Sequence, residues 1–98
     1  MDIQIMQLKS LEAELMLKTL ANSNRIMILC HLIKGPMTVS DLVDALALSQ
    51  SAVSQHLVKL KQSKIVSSES RGKHAWYQIE SSEVAALMAV IQLIYCRD

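Results

Sequence analysis

A mainly helical single domain carrying one β-hairpin is what this sequence predicts, on three observations. Of its 98 residues 51% are hydrophobic, yet only two are Gly and one is Pro. So few turn formers argue against a many-stranded sandwich or barrel and for helices. Apolar residues recur at helical spacing over most of the chain, with capping residue types at the breaks. From residue 65 to 79 the period drops to two around a single glycine, Gly72. Residues 1–98 therefore make one domain with a thin core.

The first helix fills residues 1–20, where Leu8, Leu11 and Leu15 share a face and Glu14 pairs with Lys18. Asn22 caps a second helix whose apolar face is Ile26, Leu29, Cys30 and Ile33; Gly35 and Pro36 stop it. Thr38 and Asp41 have capping-box spacing and open a short third helix, which buries Leu42 and Leu46 and ends near Ala47. Ser49 caps a fourth helix that runs to about Gln62. Val53, Leu57 and Leu60 face inward on it; Ser51, Ser54, Gln55, Lys59 and Gln62 face outward. With the tight turn at Leu48-Ser49, residues 38–62 read as a helix-turn-helix. A hairpin over 65–79 follows, with Arg71-Gly72-Lys73 at its tip and Ala75, Tyr77 and Ile79 on one face of the return strand. Trp76 falls on the opposite face, placed to stack on the base of the hairpin in preference to the alternative, a contact with an anionic partner. Ser81 or Ser82 caps a last helix reaching about Cys96. That helix has two apolar sides, one with Val84, Leu87, Met88 and Ile91, the other with Val90, Leu93 and Ile94. Two such sides need two neighbours, the parent domain and, most simply, a second copy. The order is that of a winged helix-turn-helix, about five helices plus one wing, made a homodimer through its terminal helices at 1–20 and 81–98.

Composition excludes several classes. No run of about 20 apolar residues exists to span a membrane. The opening MDIQIMQLKS has no basic region followed by an apolar run, so no secretory signal is expected. Two cysteines without such a signal read as cytoplasmic thiols. No glycine-rich phosphate loop, nucleophile elbow or His/carboxylate pair suggests an enzyme, and no cofactor is expected. The net charge of +1 is unevenly spread: residues 49–79 hold Lys59, Lys61, Lys64, Arg71 and Lys73 against Glu69 alone. That third of the chain is the candidate surface for an anionic partner.

The stretch LKTLANSNRIMILCHLIKGPMTVSDLVDALALSQSAVSQHLVKLKQSKIV resembles the ArsR/SmtB family of bacterial winged-helix repressors. The segment SQSAVSQHL, residues 49–57, is similar to that family's recognition helix, and the likeness continues through Tyr77-Gln78-Ile79. The resemblance implies a homodimeric transcriptional regulator bound to double-stranded operator DNA. The family's metal sites are not matched. The third helix has no thiol, and the last has no His or acidic residue over residues 84–92 and no ligand from there to Cys96. Cys30 and His31 are neighbours about 100° apart on a helix, a poor chelating pair. What remains, Cys30 on the second helix and Cys96 at the end of the last, is similar to the dithiol branch of the family, the BigR-, SqrR- and YgaV-like repressors. The same two positions occur in HlyU-like virulence regulators. That branch implies a switch in which reactive sulfur or an oxidant links the two thiols. A regulator of the HlyU kind with no redox response, and a winged-helix module that binds protein instead of DNA, are the alternatives.

Residue chemistry assigns the DNA face independently. Gln50, Ser51, Ser54 and Gln55 place amides and hydroxyls near the start of the fourth helix, where Gln pairs with adenine and Ser donates or accepts. Lys59 and Lys61 suit backbone phosphates, as does Lys64; Arg71 and Lys73 at the hairpin tip suit phosphate or an adjacent minor groove. His56 lies between the buried stripe and the outer face, open to an internal bond or to phosphate. Cys30 sits on an apolar stripe and Cys96 near the accessible end of the last helix, so their sulfurs meet only if that helix packs over the second.

Overall fold

The computed structural model describes residues 2–96. Its elements run α1 (Ile3–Leu20), α2 (Ser23–Leu32), α3 (Val39–Leu46), α4 (Gln50–Gln62), β1 (Val66–Arg71), β2 (His74–Ile79) and α5 (Ser82–Ile94). The two strands pair antiparallel as one hairpin. This is the mainly helical, winged architecture that the periodicities predict.

The caps hold as expected. The Asn22 side chain accepts from the Arg25 amide at 3.1 Å, and that of Ser49 from the Ala52 amide at 3.1 Å. Thr38 and Asp41 exchange both capping-box bonds, each 3.1 Å long. Ser81, not Ser82, caps α5, accepting from the Val84 amide. Ala47 closes α3 in the left-handed region, at φ 55°, and so turns the chain into α4. The expected three-residue hairpin tip is tighter than the sequence suggests. Arg71 and His74 still pair, leaving Gly72 and Lys73 as the turn, and Gly72 takes φ 63°.

The core gathers around α2. Ile28, Leu29, Cys30 and Leu32 are buried on it, against Leu42 of α3, Val53, Leu57 and Leu60 of α4, and Val84 and Met88 of α5. The sequence reading put Ile26 and Ile33 on that face, but both are only half-buried, whereas Ile28 and Leu32 are enclosed. The helix is covered from more than one side, by α3, α4, α5 and β2, so a single amphipathic stripe understates its burial. A further link comes from Met37, whose amide and carbonyl both bond Tyr77, tying the loop before α3 to the return strand.

The terminal helices are the opposite case. Leu20 alone is buried among the eighteen residues of α1. Leu8, Leu11 and Leu15 stay exposed on α1, as do Leu87, Val90, Leu93 and Ile94 on α5. No helix among the described residues is long and apolar enough to cross a membrane.

Candidate nucleic-acid interface and dithiol

Helix α4 presents its polar side outward because its apolar residues are taken up by the core. With Val53, Leu57 and Leu60 essentially inaccessible, a 100° step per residue turns Ser51, Gln55 and Gln62 to the opposite side, and all three are exposed. Gln50 is exposed at the first turn and Ser54 is half-buried beside the stripe. The charge-sparse first turn, with the backbone amides of the helix start, suits a negatively charged neighbour.

The hairpin lies against one flank of this helix. A cavity of about 380 Å³ between the hairpin, the start of α3 and the first turn of α4 is lined by Thr38, Ser40, Gln50, Lys73 and His74, among others. It brings the hairpin-tip Lys73 to the same notch as Gln50. Of these, Thr38, Ser40 and His74 were not picked out as site residues by sequence reasoning. The capping box of Thr38 and Asp41 locates the start of α3, but nothing in the sequence says that the wing folds onto it.

The remaining predicted contacts divide. Lys59 and Lys73 are exposed and make no ion pair among the described residues. Lys61 instead donates to the Ser68 hydroxyl at 2.7 Å, tying the end of α4 to β1. Arg71 approaches Glu69 at 3.5 Å and lies over the Trp76 ring, 5.8 Å from its centroid. Since Glu69 and Trp76 are cross-strand partners, the hairpin holds this guanidinium over its own outer face. His56 is half-buried and turned toward α2. Burial pushes its pKa below the ordinary 6.5, and the nearby Arg25 charge lowers it further.

The second site joins α2 to α5. Cys30 is 4% exposed, Cys96 half-buried, and their sulfurs are bonded across 66 residues with the α-carbons 6.3 Å apart. The last helix does pack over the second, bringing together two thiols from distant parts of the chain. His31 stands apart, its Nδ1 3.0 Å from the Met27 carbonyl.

Comparison with known proteins gives a consistent picture. The family model described as "Bacterial regulatory protein, arsR family" matches residues 22–68. The chain is 36% identical over 97 residues to the transcriptional activator HlyU of Vibrio cholerae, covering 99% of this chain and 90% of that protein. It is 31% identical over 91 residues to the biofilm growth-associated repressor of Agrobacterium fabrum, covering 93% and 78%. The solved structure of reduced HlyU from Vibrio cholerae superposes with a TM-score of 0.89 at 36% identity, over 96% of this chain and 99% of the other.

Proposed function

The chain belongs to the ArsR family of bacterial regulatory proteins, and from that premise we propose that it is a homodimeric, operator-binding transcriptional regulator whose hold on DNA is set by the Cys30–Cys96 pair. It acts in the cytoplasm. The observation that carries the reading is the outward stripe of Ser51, Gln55 and Gln62 on α4, left free by the core and flanked by the wing. Short amide and hydroxyl side chains near the start of such a helix suit base edges in the major groove. Gln50, Ser51, Ser54 and Gln55 read bases; Lys59 and Lys73 meet phosphates. Arg71 swings from Glu69 to DNA, and Lys61 and His56 support the helix from its sides.

The dithiol supports the regulatory half. Linking two thiols releases two protons and two electrons, so an acceptor is required. With a polysulfide as acceptor, the Cys96 thiolate attacks a terminal sulfur and cleaves one S–S bond. It takes up that sulfur as a persulfide and releases a polysulfide one sulfur shorter. Cys30 then displaces hydrosulfide from the persulfide and closes the bridge. The linked state pins the end of α5 to the buried face of α2, while the reduced state frees it. Relatives carry both activator and repressor in their names, so the proposal concerns the switch and leaves the sign of regulation open.

The test is selection of bound sequences from a random DNA pool, under reducing conditions and again with a polysulfide donor. A common palindromic site held in one condition and released in the other is the expected result. Cys96→Ser is expected to hold that site equally in both. Equal binding by the unmodified protein in both conditions removes the switch but keeps the DNA reading. Absence of any selected DNA, with a flat response to salt, leaves a protein-binding module.

A further inference from the structure

A second notch lies on the flank of α4 away from the wing. It has a volume of about 300 Å³ and is lined by Lys18 and Thr19 of α1, Arg25 of α2, Lys59 and Gln62 of α4, and Ser63. Three cations from three helices therefore border one small space. Among the described residues the acid paired with any of them is Glu14, 3.5 Å from Lys18. Arg25 and Lys59 have no carboxylate partner among those residues. Arg25 is also held in place. Its Nε donates to the Thr19 carbonyl at 2.6 Å, which caps the end of α1 and leaves the two terminal nitrogens for another acceptor. Burial lowers the pKa of His56 and the Arg25 charge lowers it further, so this guanidinium also lies near that ring.

The position of the notch on the helix matters as much as its charge. Lys61 marks the flank on which α4 is tied to the wing. Lys59, two residues earlier, lies about 200° away around the helix axis. The exposed Ser51, Gln55 and Gln62 run between these flanks. A helix seated in a wide groove has a phosphate backbone on either side of it. The wing faces one backbone, and the notch faces the other.

We propose that the notch formed by Lys18, Arg25 and Lys59, with the hydroxyls and amide of Thr19, Ser63 and Gln62, is a phosphate-binding site occupied by a backbone phosphate of the DNA strand opposite the wing. The planar Arg25 fork gives directional bonds and the two lysines give charge. The proposal rests on the DNA reading of α4 for its occupant, but not for its chemistry. A free phosphate-bearing molecule would use the same groups.

The experiment therefore has two arms, both on the full chain. Arg25 caps α1, so its replacement risks the fold, and the variants are Lys18→Gln and Lys59→Gln. In the first arm inorganic phosphate is titrated at constant ionic strength while the Arg25 Nε–H and His56 ring resonances are followed by NMR. Saturable shifts in the millimolar range are expected. The His56 pKa should rise as the anion neutralises Arg25, and both effects should weaken in each variant. In the second arm the salt dependence of DNA affinity is measured. A strand phosphate in the notch predicts a log–log slope reduced by about one in Lys59→Gln. Phosphate binding with an unchanged slope assigns the site to a free phosphate compound. A reduced slope without free-phosphate binding assigns it to the strand alone. No saturable shift together with an unchanged slope overturns the proposal. If the protein holds no DNA at all, the first arm decides by itself.

Discussion

His56 shows how one side chain is pulled between two surroundings. By sequence it lies between the buried stripe and the outer face of α4; in the fold it is half-buried near Arg25 of α2, where burial and then that charge oppose its protonation. The consequence for stability has a definite sign. The folded pKa lies below the ordinary 6.5, so below neutrality the unfolded chain binds more protons than the folded one. This group's contribution is fully present above pH 6.5 and declines as pH falls through that value toward the folded pKa. His56→Gln is expected to flatten this part of the stability–pH curve, measured by urea unfolding between about pH 7 and 5. An unchanged slope there would show that His56 is as hydrated in the folded chain as in the unfolded one. Glu83 has the opposite chemistry. Hydrogen bonds from the Ser81 side chain, from its own backbone amide and from Ser82 hold its carboxyl below the usual range. Its stabilising effect is present above the unfolded pKa and fades as pH falls through the lower, folded one.

At the level of elements, the helices with a single buried face were legible and the joints between elements were not. Helix α4 shows its inner and outer sides directly, because Val53, Leu57 and Leu60 repeat at helical spacing against polar neighbours. Helix α2 blurred, since four elements pack on it and Ile28 and Leu32 are enclosed beyond the expected stripe. The backbone bridge between Met37 and Tyr77 joins residues distant in sequence, and the bond from Lys61 to Ser68 joins two elements, each by groups that every chain or many surfaces possess. No local pattern announces them. Of the candidate site, the outward polar residues of α4 were visible, and the second cationic flank was not. Lys18, Arg25 and Lys59 belong to three helices, and only the packing of those helices sets them around one space. Thr38 tests how far the joint beneath the recognition helix depends on a local device. Its side chain is buried and accepts from the Asp41 amide, and its own amide donates the reciprocal bond to the Asp41 carboxylate. Thr38→Ala removes the side-chain cap and is expected to cost about 1–2 kcal/mol by denaturant unfolding. Thr38→Ser, which keeps the oxygen, should recover most of it.

The whole molecule has a core too small for the apolar surface it carries. Helix α1 is eighteen residues long, yet it contributes Leu20 alone to the buried set. Leu11 is 56% exposed on α1 and Leu93 is 66% exposed on α5, with other leucines and isoleucines beside each. A helix of this length gains little from propensity by itself and depends on packing for its stability. In the homodimer proposed above, a second copy related by a twofold axis would supply that packing and cover both faces. On that proposal the same axis would repeat α4, and two such helices about one turn of DNA apart, roughly 34 Å, would hold a palindromic site far more tightly than one. The proposal thus makes oligomeric state and operator affinity one property. Leu11→Glu with Leu93→Glu places charge on both faces without touching α4, the wing or the cysteines. Sedimentation velocity is expected to show a monomer, and affinity for the palindrome to fall by roughly a hundredfold or more, while affinity for a single half-site stays close to that of the unmodified protein. Loss of half-site binding as well would mean that the monomer does not fold, which circular dichroism reads directly. A variant that stays dimeric would place the twofold contact elsewhere. The Cys30–Cys96 link would then tie α5 to the core without passing through the dimer contact, and its effect on DNA would need another route.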